Sequence, residues 1–208
     1  MEDIPFETAG LVADDVRALE LTYNELKKKF NIGLPCNVHL PVKKFDLFSN
    51  NPDLVVDGVL PIPHPVNNCY LAFMRIHIYY NPVRGGGETV DYYRYQVWGF
   101  IQSKKNYGRA LLRRETFADK LMGLIHPVEL KFPDDQPFNH KFYVVSNDSE
   151  KTLLAMNYNF RNAVMDIASE NIIIEITDDL LVMGDNCWLQ PDEVITLAEN
   201  VLKVASNC

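Results

Sequence analysis

Little in this chain marks it for export, for a membrane or for nucleic acid. Its four cysteines, at 36, 69, 187 and 208, are scattered through 208 residues. None forms a Cys-x-x-Cys pair, so a disulfide scaffold is excluded and free thiols are expected. No apolar run approaches the roughly eighteen residues that a bilayer-spanning helix needs. The opening "MEDIPFETAGLVADDV" is acidic where a secretion signal would be basic and then apolar. These absences predict a soluble, cytoplasmic protein with no integral membrane association. Positive charge is short as well. A formal net charge of −8 leaves no basic face to release counterions, which argues against nucleic-acid binding.

Familiar reaction motifs are also missing. There is no G-x-G-x-x-G, no lysine of a phosphate loop and no G-x-S-x-G elbow. The three glycines of "NPVRGGGETV", Gly85 to Gly87, lead into "TVDYYRYQVW", which reads as a strand. A phosphate cradle needs a helix N-terminus at that point, so the glycines are expected at the tip of a hairpin. Cys36, His39, His64 and Cys69 supply zinc-type ligands, but a spacing of three along an extended strand points two side chains to opposite faces. They are read as packing and surface residues, with no metal and no cofactor. The adjacent carboxylates Asp14/Asp15, Asp134/Asp135 and Asp178/Asp179 cannot face each other across a cleft as paired acids must. Helix first turns and tight turns explain them. Ser146 and Ser149 flank Asp148 without an elbow around them.

What is present suits one substantial core: 47% of residues are apolar and 23% charged, ordinary for a globular chain. From 12 to 30, Val12, Val16, Leu19, Tyr23, Leu26 and Phe30 recur at helical spacing, with Asp14 and Asp15 in the first turn and three lysines in the last. Gly33 is the expected stop. Six prolines between 35 and 65 then disfavour long helices. In "CYLAFMRIHIYY", Cys69 to Tyr80, the residues Tyr70, Ala72, Met74, Ile76, Ile78 and Tyr80 form one apolar face, with Arg75 and His77 on the other. "VDYYRYQVWGFIQ", Val90 to Gln102, is dense in β-favouring aromatics. The two predict a long antiparallel hairpin.

Lys104, Lys105, Arg109, Arg113 and Arg114 surround Tyr107 and read as a solvated charged segment, with an anion or acidic-partner patch as the alternative. A short helix at Glu115 to Leu124 is expected next. A turn at Asp134/Asp135, a strand at His140 to Ser146, and one helix from Asn147–Ser149 to about Ala168 follow. "IIIEIT" and "LLVMG", joined by Asp178 and Asp179, form a second hairpin. Pro191, Asp192 and Glu193 open the last helix, with Val194, Leu197, Ala198, Val201 and Leu202 as its buried stripe.

The fold class predicted is α+β: a mainly antiparallel sheet with helices packed on one face, a long aromatic hairpin and a C-terminal β-α-β-β-α unit. It is expected as a single domain, 1–208, divisible into sub-lobes 1–132 and 133–208. The stretch "FNHKFYVVSNDSEKTLLAMNYNFRNAVMD", Phe138 to Asp166, resembles the C-terminal segment of a bacterial domain family of unknown function, in which a strand ending Val-Ser-x-Asp precedes a helix. That resemblance covers the last third of the chain. It implies a domain often carried by membrane-anchored proteins, with no catalytic residues to transfer.

Two functional readings remain. One is a non-enzymatic protein-interaction or ligand-binding module. Its hairpin, 70–102, would serve self-association or a protein partner through Tyr80, Tyr92, Tyr93 and Trp98, since aromatics are enriched at interfaces. The other is a hydrolase-type enzyme using the sheet face of Arg75, His77 and Tyr79, with Arg94 on the neighbouring strand; the same four would suit an anionic or polar ligand. No catalytic residue is assigned.

Overall fold

The alternation that organises the molecule begins in its central hairpin. In a computed structural model, which describes residues 4–49, 51–80, 89–114 and 128–208, strand β2 (Asn68–Tyr80) pairs antiparallel with β3 (Val90–Gln102). The pairing runs from Asn68 opposite Gln102 to Tyr80 opposite Val90. β1 (Leu54–Ile62) lines the outer edge of β2. Five further strands complete the sheet: β4 (Arg109–Arg114), β5 (Val128–Glu129), β6 (Phe142–Ser146), β7 (Ile173–Thr177) and β8 (Leu180–Gly184). The spatial order is β1-β2-β3-β8-β7-β4-β6-β5, and every neighbouring pair is antiparallel. The α+β, antiparallel expectation is therefore met. Strands from before and after residue 132 interleave, because β7 and β8 lie between β3 and β4.

Six helices accompany the sheet among the described residues: α1 (Ala13–Phe30), α2 (Asp46–Ser49), α3 (Gln136–Lys141), α4 (Ser149–Ala155), α5 (Tyr158–Met165) and α6 (Pro191–Ala205). Helices α1, α3, α4, α5 and α6 all contribute to one core with Leu71, Phe73, Tyr95, Val97 and Ile101. The other face is not open. Ala72, Met74, Trp98, Phe100 and Val182 are covered there by Leu40, Phe45 and Phe48, brought in by a 3-10 turn at Val42–Lys44 and by α2. The single apolar face expected for β2 is thus corrected: Leu71 and Phe73 are as buried as Ala72 and Met74. A near-continuous apolar run such as "CYLAFM" is what a strand covered on both sides requires.

Local chemistry explains where elements start and stop. α1 ends at Asn31, whose φ of 51° is the left-handed geometry that asparagine tolerates; Gly33 is not the stop. Asp135 accepts a hydrogen bond from Phe138 N at 3.2 Å, so the expected turn is the N-cap of α3, and β6 begins at Phe142 instead of His140. The helix expected from Ser149 to Ala168 is two helices. Asp148 caps α4 through Lys151 N at 3.2 Å; Asn157 then caps α5 through Phe160 N at 3.0 Å. The second cap gives the chain a new helix axis after Met156. "RALLRR", read as a solvated segment, is strand β4, paired on both edges with β6 and β7. The glycine tip at Gly85–Gly87 and the helix expected at Glu115–Leu124 lie outside the described residues.

Two contacts hold these layers in place. Glu175, on β7, is 3% exposed and accepts hydrogen bonds from Asp46 N at 2.9 Å and Leu47 N at 3.0 Å. Arg109 of β4 reaches Asp46 at 2.6 Å and Glu175 at 3.7 Å. Together they bind α2 to the second face of the sheet. On the first face, α6 seats against a bare backbone: a Cβ at Gly99 would lie 2.1 Å from Val201 Cγ2. The neighbouring strand repeats the device, since a Cβ at Gly184 would lie 2.7 Å from the Trp98 ring.

Candidate functional site

Arg75, His77 and Tyr79 stand at alternate positions of β2 and so share a face. The pairing puts Tyr93 opposite His77, and the side chains stack. The Arg75 guanidinium carbon lies 3.7 Å from the centre of the Tyr93 ring. The His77 imidazole stacks on the same ring at 4.7 Å and 20°. Both outer members have further partners: His77 Nε2 is 2.8 Å from Asp91 Oδ1, and Arg75 donates to the Ala9 carbonyl. Cation–π and offset-stacked contacts of this kind stabilise by about 0.5–1.5 kcal/mol each.

The N-terminal segment closes the lower end of this ladder. Tyr93 N donates to Gly10 O at 2.8 Å. Gly10 has a φ of 77°, and a Cβ there would meet Tyr93 at 2.7 Å, so glycine is required for the chain to pass so close. Below it the Tyr95 hydroxyl donates to Asp57 at 2.6 Å and approaches the Glu7 carbonyl at 2.9 Å. Burial, and then the bond to the Asp57 carboxylate, push the Tyr95 phenol well above the ordinary tyrosine pKa.

The structure does not bring all four predicted ligand residues together. Arg94 lies opposite Ile76, one position out of phase with His77, so it belongs to the other face. It holds Asp15 of α1 through two contacts at 3.2 and 3.3 Å and rests 4.7 Å from the Trp188 ring. Of the aromatics expected at an interface, Tyr80 is 63% exposed, and Tyr92 and Tyr93 are half-buried. Trp98 is a correction. It is buried in the second core, edge-on to Phe48 at 5.2 Å, and presents nothing to a partner.

The remaining candidates separate as well. His64 contacts Ser206 Oγ at 3.1 Å and accepts from Asn67 N at 3.1 Å. Cys69 is buried against Asn67. Among the described residues no group of three or more His, Cys, Asp or Glu could hold a metal ion. The three arginines of the basic segment are engaged by the fold. Arg109 pairs with Asp46, Arg113 lies 5.4 Å from the Tyr143 ring, and Arg114 donates to the Ile167 and Ser169 carbonyls at 2.6 and 3.2 Å.

Two cavities went unforeseen. One, of about 400 Å³, lies between the loop 185–190, the first half of α6 and the segment 168–172. The other, of about 260 Å³, is bordered by His39, Lys44, Tyr70, Gln102, Asp178 and Asp179. Neither is lined by Arg75, His77, Tyr79 or Arg94. The signal for the first was "DNCWLQP", a tryptophan between a strand and a helix-opening proline, where a large ring has no strand or helix of its own to pack it.

Among the described residues the hairpin face therefore presents side chains stacked on and bonded to one another. No family model and no curated protein matches the sequence. One solved structure is similar in fold. The crystal structure of the mycobacterial trehalose monomycolate transport factor A, TtfA, gives a TM-score of 0.56 at 8% identity, with 93% of this chain and 93% of that one covered. At that identity the likeness is one of fold. It spans nearly the whole of both chains. No helix among the described residues is long and apolar enough to cross a membrane.

Proposed function

We propose that this chain is a non-enzymatic interaction module whose aromatic hairpin docks onto a second copy of itself. The observation that carries this reading is the stretch of the hairpin that runs past β1. Pairing of β1 with β2 stops at Ile76, so beyond it the β2 side of the β2–β3 ribbon has no strand beside it among the described residues, and Tyr79 and Tyr80 there are 58% and 63% exposed. Such a ribbon offers main-chain groups to an added strand. Two identical ribbons meet those needs symmetrically, as an isologous dimer does. Large rigid rings supply contact area at low entropic cost.

The closed ladder below supports the same view, because Arg75, His77 and Tyr93 are committed to one another and to Asp91 and Ala9. A fold shared with a protein named as a transport factor fits a role without covalent chemistry. The likeness of 138–166 to a bacterial family lacking any assigned activity, and a cytoplasmic location, belong to the same proposal.

Light scattering across a concentration series tests it. The chain is expected to dimerise, and Tyr79→Ser/Tyr80→Ser to be monomeric with an unchanged melting temperature. A monomer at every concentration, together with a pull-down that recovers no partner, would overturn the reading. So would hydrolysis of chromogenic esters that is lost in His77→Ala.

A further inference from the structure

The cavity of about 400 Å³ has a composition that selects its occupant. Its floor and walls are apolar: Val97 from β3, Ile172 ahead of β7, Leu189 from the loop, and Val194 and Leu197 from α6, with Trp188 beside them. The polar rim carries Asp185, Asp192 and Glu193, and among the described residues no lysine, arginine or histidine lines the cavity. None of the three carboxylates has an ion pair among the described residues. Asp192 and Glu193 also complement the positive end of α6. Asp185, on the facing wall, has no helix to serve and accepts from Cys187 N at 3.2 Å and from the Cys187 thiol. Asp185 and Glu193 both act on the Cys187 thiol, whose pKa is raised first by burial and then by these two carboxylates.

We infer that this cavity binds a small organic cation, an ammonium group attached to an aryl or alkyl body. The volume falls within the range of small-molecule sites, which are mostly apolar with few polar groups. An apolar body would lie against Val97, Ile172, Leu189 and Leu197, while the ammonium reaches the rim. Three like charges around the mouth attract a cation and reject an anion of the same size. The Trp188 ring adds a face suited to a quaternary ammonium. The Arg94 guanidinium on Trp188 does not cancel this, because Asp15 neutralises it at 3.2 Å. The proposal is independent of the hairpin, which lines no part of the cavity beyond Val97.

The test uses the full chain, with benzyltrimethylammonium as probe and phenylacetate as its charge-reversed counterpart. Titrations are followed by amide and indole chemical shifts and by calorimetry. The cation is expected to shift the Trp188 indole and the 185–193 amides saturably, with a Kd on the order of 0.1–1 mM that weakens with salt. Asp185→Asn/Asp192→Asn/Glu193→Gln is expected to lose roughly tenfold or more in affinity. Should that triple variant not fold, the exposed single change Asp192→Lys serves, with the same direction of effect. Equal or tighter binding of phenylacetate, unchanged affinity in the neutralised chain, or no saturable shift with the cation would each overturn the assignment. A comparison of phenethylammonium with Nα-acetyl-lysine amide identifies the source: tighter binding of the first points to a free amine, of the second to a lysine side chain.

Discussion

Substituting Glu175 in two ways separates what its oxygen atoms do from what its charge does. The side chain accepts hydrogen bonds from Asp46 N and Leu47 N and lies 3.7 Å from Arg109, which tethers α2 over Trp98. In Glu175→Ala both N–H groups lose their acceptor, at about 1–3 kcal/mol each when buried, and Arg109 loses one of two carboxylates. With Asp46 still 2.6 Å from Arg109, the expected loss is about 3–5 kcal/mol, in line with breaking a buried pair. Glu175→Gln keeps one acceptor and removes a charge that burial disfavours, so it should stay within about 1 kcal/mol of the parent.

The sign with pH follows from the same balance. Burial outweighs the two N–H bonds and lifts the Glu175 pKa above its ordinary 4.5. The folded chain thus holds the proton after the unfolded chain has released it. The stability linked to this group is complete below pH 4.5 and declines as pH rises through the raised folded value. Glu175→Gln lacks that decline, so its stability relative to the parent should improve from acid toward neutral pH. Urea unfolding at several pH values gives these numbers. A Trp188→Phe background isolates Trp98, whose emission should shift to the red in Glu175→Ala if Phe48 lifts away. A cost below about 1 kcal/mol for Glu175→Ala, or equal costs for Ala and Gln, would refute the reasoning.

Other outcomes can be checked alongside. Gly99→Ala places a methyl 2.1 Å from Val201 Cγ2 and should cost at least about 2 kcal/mol by chemical denaturation; adding Val201→Ala should recover part of that loss in a double-mutant cycle. Arg161 is buried and binds Asp135 at 2.9 Å, Asp134 at 2.6 Å and the Met156 carbonyl at 2.9 Å, so Arg161→Met should cost about 3–5 kcal/mol in thermal melts, since Asp135 is left without its charge partner. Thiol labelling of the native chain should reach Cys187 first and Cys69 only on unfolding, because burial, followed by the Cys208 charge, pushes the Cys69 pKa to about 12.

The parts of the fold legible in the sequence are those governed by local chemistry. The two strands of the central hairpin, the Asp178/Asp179 turn and the Pro191 helix start are set by residues within a few positions of each other. What was hidden depends on partners far along the chain. "RALLRR" carries three arginines that look solvated until Asp46, Tyr143 and the Ile167 carbonyl arrive from elsewhere. Trp98 looked like an interface residue because nothing in its own strand reveals Phe48. Arg94 was assigned to the wrong face for want of a register: the hairpin pairs Tyr93, not Arg94, with His77. The loop 185–190, which walls the cavity of about 400 Å³, has no periodicity at all, and its space is enclosed by α6, 168–172 and β3.

The burial of the central hairpin on both sides changes what can specify its alignment. In a sheet with one wet face, sliding a strand by one residue exposes oil and buries charge, and polarity alone forbids the error. Along "CYLAFM" and "VWGFI" such a slide would exchange one greasy residue for another. The instruction is instead written in bulk. Two missing methyl groups, at Gly99 and Gly184, leave notches into which Val201 and Trp98 fit, and any other alignment sets a side chain where only a hydrogen atom can go.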